Sequence, residues 1–312
     1  MKLVHLIISV LLLSASQYLM AQEYAGLSID NDLFFGKDYY YSSGIFLQYG
    51  YNKDPNAKAR EEHALFQEES NKHKRIKSVH WTLGQQIFNP IGRYDSIFAQ
   101  MDYPFSGHVY LERKVRIQTS EHRFKIWGVQ LGLSGPPSMS QPIQNAYHKW
   151  VLGLPPLSWV DQQPAGVHMG IQAQWAASTN SKSEIHFTRH FDLQLGTHQT
   201  QASIRTGIQW GPLNPLTFYG PPVAIAQSGW STHLGIQLKY SLQDFNLSGS
   251  LFNNKAPFTL PANSFRNTLE AGFAYRIPNW QFIAVAKSRS KDTASQKYAR
   301  HEVLYLSILR IW

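Results

Sequence analysis

Two polar side chains, an amide and an imidazole, stand four residues apart in the stretch SQPIQNAYHKW, residues 140–150. Ser140 is a suitable N-cap and Pro142 is tolerated near a helix start, so this stretch predicts a short helix. Residues four apart share one helix face, so Gln144 and His148 would lie side by side. A histidine whose tautomer is fixed by a partner can act as a general base near neutral pH.

A second group of polar residues is rich in oxygen donors. Asp30, Asn31 and Asp32 are consecutive and follow a strand-like segment. Carboxylate and amide oxygens suit a hard cation, and Ca²⁺ is the one expected outside a cell. Asp30 and Asp32 are therefore candidate metal ligands. The alternative is that the three residues only terminate a strand, because Asn and Asp are common in turns.

A serine beside three tyrosines is the third candidate. In the stretch YYYSSG, Ser42 could act as a nucleophile, hold a water, or be a surface hydroxyl. No G-x-S-x-G motif surrounds it, so a hydrolase-type nucleophile is not indicated. For Tyr39, Tyr40 and Tyr41 we favour a place in the aromatic belt of a membrane protein.

The N-terminus predicts export. A charged first segment, an apolar run over 6–13 and the small residue Ala21 form the pattern of a secretory signal peptide. We expect residues 1–21 to be removed, which leaves 22–312 as one outer-membrane barrel domain. A membrane anchor is the weaker alternative, because the apolar run is too short to span a bilayer.

The composition indicates how the exported chain is held together. It has 312 residues, no cysteine, 13% aromatic residues and a formal net charge of +9. No later segment is apolar enough for a spanning helix, whereas strands of a transmembrane β-barrel alternate and so average out as polar. A soluble β-protein is the alternative. The positive charge suits an anionic partner such as a phosphorylated lipid surface, and we predict neither a nucleic-acid nor a protein partner.

The chain after the leader reads as alternating strands. We predict an all-β, transmembrane antiparallel barrel of about twelve strands with one short helix in an extracellular loop. The C-terminal stretch LYLSILRIW ends on an aromatic residue, as terminal strands of exported barrels do, and 245–252 is open to either interpretation. The predicted strands lie near 24–30, 43–52, 77–87, 105–116, 122–133, 165–177, 184–196, 199–210, 231–241, 265–276, 279–288 and 300–312.

Strand parity places the candidate residues at one end of the barrel. If the first strand begins in the periplasm, the first, third and fifth strands all end on the outer side. Their ends carry the stretches IDNDLFFGKDYYYSSG, QQIFNPIGRYD and GLSGPPSMSQPIQNAYHKW. The segment 53–76 would then be an unusually long periplasmic turn, for which we have no physical account.

Several motifs, taken together, resemble the lipid A 3′-O-deacylase family of outer-membrane barrels. They occur in family order over most of the chain, and the run around Gln144 and His148 is the most specific. The matching pieces are NDLFF (31–35), YYSSG (40–44), QQIFNP (85–90), DYPFSGHVYL (102–111), GLSGPPSMSQPIQNAYHKW (132–150), WVDQQP (159–164) and SGSLFNNKAPFTL (248–260).

The resemblance implies a Ca²⁺-dependent esterase that removes the 3′-linked acyl chains of lipid A, a lipopolysaccharide component, in the outer membrane. It implies that His148 is the base, and that Arg93 is the nearest basic candidate for binding substrate. The other positions that match the family's active site are Gln144, Asn31, Asp32 and Ser42. Three rivals remain open: an outer-membrane phospholipase with a serine nucleophile, a non-catalytic porin or transport barrel, and a family member that kept the barrel and lost or changed its substrate.

Overall fold

The computed structural model describes residues 23–53, 76–97, 101–180, 183–221 and 228–312. The predicted signal peptide and nearly all of the long turn at 53–76 lie outside these residues. Twelve strands run through the described chain: β1 Glu23–Asn31, β2 Tyr40–Asn52, β3 Ile76–Asn89, β4 Ser106–Ser120, β5 Arg123–Ser134, β6 Gly166–Ser178, β7 Ile185–Gly196, β8 Gln199–Trp210, β9 Gly229–Asp244, β10 Phe265–Ile277, β11 Trp280–Ser290 and β12 Arg300–Ile311.

The strands form a closed antiparallel barrel. Each strand pairs with its neighbours in sequence, and β1 pairs with β12 from Tyr24↔Ile311 to Asn31↔Leu304. This confirms the predicted fold class and strand number. Residues 245–252 do not add a strand, because Phe245–Ser248 forms a single helical turn, α2, which follows the predicted helix α1, Ser140–Tyr147. None of the described helices is long and apolar enough to cross a membrane.

Side chains alternate between the inside and the outside of the barrel, as the pleat requires. The outward positions form an apolar belt, and tryptophans and tyrosines gather where strands begin or end at the lower rim, opposite to α1. This is the pattern of a barrel surrounded by lipid. Exposed members of the belt are Ile45, Leu47, Leu83, Leu111, Trp127, Val129, Leu131, Ile171, Phe187, Ile204, Ile208, Leu234, Leu269, Phe273, Phe282 and Ile308.

The tyrosines of the YYYSSG stretch are not part of that belt. Tyr40 and Tyr41 are only 1% and 2% exposed. They pack inside the upper end of the barrel with Phe88, Tyr103, Leu247 and Val303. The prediction that they lie in the aromatic belt is wrong, because the first residues of β2 direct these rings into the lumen.

A second apolar cluster fills the lower end of the lumen. The segment 211–221, between β8 and β9, folds inward and packs against the inner face of strands from opposite sides of the barrel. We call this segment the plug. The cluster consists of Leu213, Leu216, Phe218 and Tyr219 of the plug with Phe124, Ile126, Ala176, Ala274 and Val285 of the wall.

Two inward arginines hold the backbone of the plug. Arg116 on β4 donates to the carbonyl of Pro221 at 2.6 Å, and Arg205 on β8 donates to that of Phe218 at 2.8 Å. The Tyr219 hydroxyl also lies 2.7 Å from Oγ1 of Thr188. Hydrogen bonds to charged groups contribute about 1.5–3 kcal/mol each, so the plug is a fixed part of the fold.

The plug predicts that the barrel does not conduct ions. In planar bilayers the wild type should be silent. A Leu216→Asp/Phe218→Asp variant should lose the folded band on unboiled gels at a lower temperature, because buried unpaired carboxylates destabilise the packed segment. Leu251→Asp, at an exposed loop position, is the control and should keep the wild-type midpoint. A steadily conducting wild type would contradict the plug, as would a double variant with the wild-type midpoint.

Candidate active site

The helix α1 lies on the outer face of the barrel wall. By the pleat, Gly107 on β4 points outward, and a Cβ there would collide with the side chains of Ser138 and Ser140. Gln85, an outward residue of β3, donates to the carbonyl of Ser138 at 2.8 Å. The absence of a side chain at Gly107 therefore allows the start of the helix to rest directly on the wall.

The polar face of the helix turns toward the barrel. Gln144 and His148 are 5% and 2% exposed, so the predicted pair does share the buried face. His148 begins a π-helical turn, His148–Leu152, that continues α1. Such turns widen a helix locally and are frequent at functional sites.

Asp38, in the connection between β1 and β2, joins the candidate residues. Its Oδ2 lies 3.3 Å from Nε2 of His148 and 3.0 Å from Nε of Arg93. Its Oδ1 accepts a hydrogen bond of 2.8 Å from the hydroxyl of Ser42. Burial alone would raise the pKa of Asp38, but the hydrogen bond with His148 and the charge of Arg93 bring that pKa below its usual range.

An irregularity in β2 aims Ser42 at this carboxylate. The register between β2 and β3 jumps from Tyr41↔Phe88 to Ser43↔Ile87, so Ser42 is the extra residue of a β-bulge. Bulges re-aim side chains and are common beside active sites. Tyr40 has a φ of 62°, a conformation that non-glycine residues rarely adopt, and this reverses the chain just before the bulge.

Gln144 reaches the same cluster from the helix. Its Nε2 lies 3.5 Å from the Ser42 hydroxyl and 3.4 Å from Oδ1 of Asn89, the last residue of β3. The amide of Asn89 in turn donates to the carbonyl of Asp38 at 3.0 Å. The Oε1 of Gln144 is buried and has no hydrogen-bond partner. The side-chain amide of Gln144 is thus held by the barrel wall, and its Oε1 remains available as an acceptor for a ligand.

Asp32 lies at the same end of the barrel with its carboxylate fully buried. Its Oδ2 accepts a hydrogen bond of 2.9 Å from the backbone of Tyr39, whereas its Oδ1 is buried without a partner. Burial, together with the negative charge of Asp38, raises the pKa of Asp32 to about 8. An additional positive charge would therefore favour the ionised form of Asp32 near neutral pH.

The other two residues of the oxygen-rich run have different partners. Asp30 faces the lumen, where it accepts a hydrogen bond of 3.0 Å from Tyr41 and lies 3.7 Å from Nζ of Lys287. Asn31 uses its Oδ1 to accept a 2.7 Å hydrogen bond from the backbone of Leu33, which begins a short 3₁₀ turn. The structure therefore brings Asp32, Ser42, Arg93, Gln144 and His148 to one end of the barrel, and separates Asp30 from them.

Sequence reasoning did not identify Asp38 and Asn89. Both lie in stretches that parity had already placed on the outer side, Asp38 four residues before Ser42 and Asn89 in the NP turn. The available signal for Asp38 was its acidic side chain four positions before the candidate serine.

Two comparisons relate this arrangement to known proteins. A sequence model of the family described as Outer membrane protein LpxR matches residues 4–308. The chain belongs to the LpxR family. This confirms the resemblance to lipid A 3′-O-deacylases that the motifs indicated, and it places the protein in the outer membrane of a Gram-negative bacterium.

One solved structure confirms the barrel. LpxR from Salmonella typhimurium superimposes with a TM-score of 0.73 at 14% identity, over 93% of this chain and 100% of that chain. The β domain of the Bordetella autotransporter BrkA gives a TM-score of 0.47 at 8% identity, over 93% of this chain and 98% of that one. No individually curated protein matches the chain. The likeness to the Salmonella LpxR structure thus shows that both chains share one fold.

The site fits a cation better at Asp32 than at Asp30. Both carboxylates have one buried oxygen without a hydrogen-bond partner. Asp30 lies 3.7 Å from the ammonium group of Lys287, whereas the pKa of Asp32 is raised by burial. Among the described residues, no three histidine, cysteine or acidic side chains form a group that could hold a metal. A Ca²⁺ ion would therefore need neutral oxygens as well, which its six to eight ligands commonly include.

The raised pKa of Asp32 has a consequence for stability. A carboxyl with a raised pKa stabilises the folded state below the unfolded value of about 3.9, and this contribution is lost as the pH rises to about 8. With a chelator present, Asp32→Asn should therefore unfold at a higher temperature than the wild type at pH 8.5. At pH 5 the difference between the two unfolding temperatures should be smaller. Heat modification on gels measures the midpoint. Asp95→Asn, at an exposed position, is the control, and equal margins at both pH values would refute the raised pKa.

Proposed function

We propose that this outer-membrane protein is an esterase that hydrolyses the 3′-linked acyl chains of lipid A, with His148 as general base. The observation that carries the proposal is an imidazole, buried and paired with a carboxylate, on the outer face of a lipid-surrounded barrel. An ester of an outer-leaflet lipid could meet it there. Membership of the LpxR family supports the choice of lipid A as substrate.

The contact with Asp38 suits His148 to act as a base. With Nε2–H directed at the carboxylate, the second ring nitrogen, Nδ1, carries the lone pair. Nδ1 is buried and has no hydrogen-bond partner. In the proposed step, Nδ1 takes a proton from water as the water oxygen attacks the ester carbonyl. Asp38 stabilises the imidazolium that forms, and Arg93 limits how strongly the carboxylate attracts the imidazolium proton. The bond between the acyl carbon and the alcohol oxygen then breaks, and Nδ1–H returns its proton to that oxygen, which leaves a fatty acid and a free hydroxyl.

The hydroxyl of Ser42 is less suited to be a nucleophile. It donates to Asp38 at 2.8 Å, so the carboxylate stands between Ser42 and the imidazole. A serine nucleophile needs a base that accepts its proton, as in Ser–His pairs. The arrangement therefore favours attack by water over the serine mechanism of a phospholipase. Ser42 and Gln144 would position the water or the imidazole.

Negative charge on the tetrahedral intermediate needs nearby donors. Asn31 holds Leu33 with its Oδ1, so its Nδ2 is the atom that would donate to the oxyanion. One well-placed donor contributes about 2.7–4 kcal/mol. Ca²⁺ held by Asp32 and by neutral oxygens would supply Lewis-acid stabilisation of the same charge. Arg93, the basic residue at the site, would contact a lipid A phosphate.

The proposed base predicts a defined pattern of losses. His148→Ala should lower the rate of lipid A deacylation by about 10²–10⁴-fold, the usual effect of removing a general base. Asp38→Asn should cost about 10–10²-fold, which corresponds to the about 1.5–3 kcal/mol of a charged hydrogen bond. The double variant should be no slower than His148→Ala alone, because Asp38 acts through the imidazole. Mass spectrometry of lipid A measures the rates.

The control for this experiment is the folded state. Each variant should keep the faster-migrating band of an unboiled barrel. A folded His148→Ala protein with wild-type activity would show that another group is the base, and strictly additive losses would show that Asp38 has a separate role.

The proposed cation predicts a response at Asp32. In EGTA at pH 7, a protonated carboxyl band should be present in the infrared spectrum, because the pKa of Asp32 is raised to about 8 by burial. Ca²⁺ should remove that band and restore activity, while Mg²⁺ should do so poorly because it demands tighter octahedral geometry. Asp32→Asn should lack the band and the response. Full activity in EGTA would eliminate the cation from the mechanism, and a band unaffected by Ca²⁺ would place the ion elsewhere.

A further inference from the structure

The outward face of the α1 helix and its π-helical extension is apolar and exposed. Ile143, Tyr147, Trp150 and Val151 recur at the spacing of a single helix face, and we call them the outer stripe. Trp150 and Val151 are 78% and 64% exposed in the part of the chain that the structure describes. A contiguous exposed patch of this kind marks a surface that contacts another apolar phase.

The polar and apolar sides of this helix are placed in the reverse of the usual way. A surface helix of a soluble protein buries its apolar side and exposes its polar side. Here Gln144 and His148 are buried against the wall, and the apolar residues point away from it. The position of the polar pair is explained by the site, but the outer stripe is not explained by packing within the described residues.

The height of the helix on the wall identifies what faces the outer stripe. Gln85 contacts Ser138 just before α1, and the belt residue Leu83 is two positions further down the same strand. At about 3.3 Å per residue, those two positions are about 7 Å apart. On β4, Leu111 of the belt lies four positions below Gly107, or about 13 Å. The outer stripe therefore begins where the lipid-facing belt of β3 and β4 ends.

We propose that the outer stripe lies at the boundary between headgroups and acyl chains of the outer leaflet and docks the helix on the lipid surface. Tyr147 and Trp150 carry the amphipathic rings that are enriched at this depth, and Ile143 and Val151 supply the apolar contact. The belt residues Leu83 and Leu111 lie within about 13 Å below the wall residues on which the helix rests, so a lipid phase is the occupant that fits. For catalysis, and this part rests on the proposed function, docking holds His148 at the depth of ester linkages.

Single cysteines can test the docking, because the chain contains none. A nitroxide on Val151→Cys, in the protein reconstituted into phospholipid vesicles, should collide more often with oxygen, which concentrates in lipid, than with a water-soluble nickel chelate. Leu131→Cys in the belt should behave in the same way, and Lys255→Cys in an exposed loop should show the opposite preference. A Val151 label that responds like Lys255 overturns the proposal whatever the activity.

Kinetics test the consequence for the substrate. A Trp150→Ser/Val151→Ser variant should raise the KM for lipid A in vesicles about tenfold, the effect of about 1.4 kcal/mol of lost contact, with kcat within about twofold. Ala146→Ser, on the same helix but outside the outer stripe, controls for helix propensity. An unchanged KM with a lipid-accessible label overturns the substrate-holding role. A lipid-accessible label on a protein that never deacylates lipid A leaves docking intact and refutes the proposed function.

Discussion

The structure depends on one constraint, that a chain surrounded by lipid must pair all its backbone groups with itself. A barrel meets this constraint only when its first and last strands pair. Here β1 and β12 pair along eight positions, from Tyr24↔Ile311 to Asn31↔Leu304, and no strand edge is left in the described wall. Closure also brings both ends of the sequence together, so His301 on β12 lies 3.8 Å from the Asp32 carboxylate at the end of β1.

Closure of the barrel determines where the polar side chains of a site can lie. The lumen of this barrel is filled at both ends, by the tyrosine cluster above and by the plug below. The outside is an apolar belt, which leaves the upper rim as the place where polar groups and lipid meet. The helix α1 uses this place by lying on the outer wall, so that its polar face and the rim enclose the site. An enzyme acting on a membrane lipid gains from this position, because its substrate need not leave the bilayer.

The sequence predicted the strands better than it predicted the contacts between loops. Period-two alternation is a local signal and identified all twelve strands. The four-residue spacing of Gln144 and His148, another local signal, identified the helix pair. Asp38 was missed because its role arises only when a bulge in β2 and the helix meet. The plug was missed because the residues of 211–221 are buried without any periodicity, so their proline- and glycine-rich stretch reads as an ordinary turn. Long-range burial of irregular segments leaves no pattern in sequence.

The two buried carboxylates of the rim have opposite electrostatic surroundings, and this difference divides their possible roles. Asp38 is paired with Arg93 and His148, so it stays ionised and can orient a base. Asp32 has a backbone donor and an unpartnered oxygen, and burial makes its negative charge costly. Groups whose pKa values are pushed apart usually serve different functions. A divalent cation would gain most beside Asp32, because the charge of Arg93 offsets the cost of burying this carboxylate only in part, and it would leave Asp38 bound to the imidazole. In the proposed mechanism a cation and a general base would therefore not compete for one carboxylate.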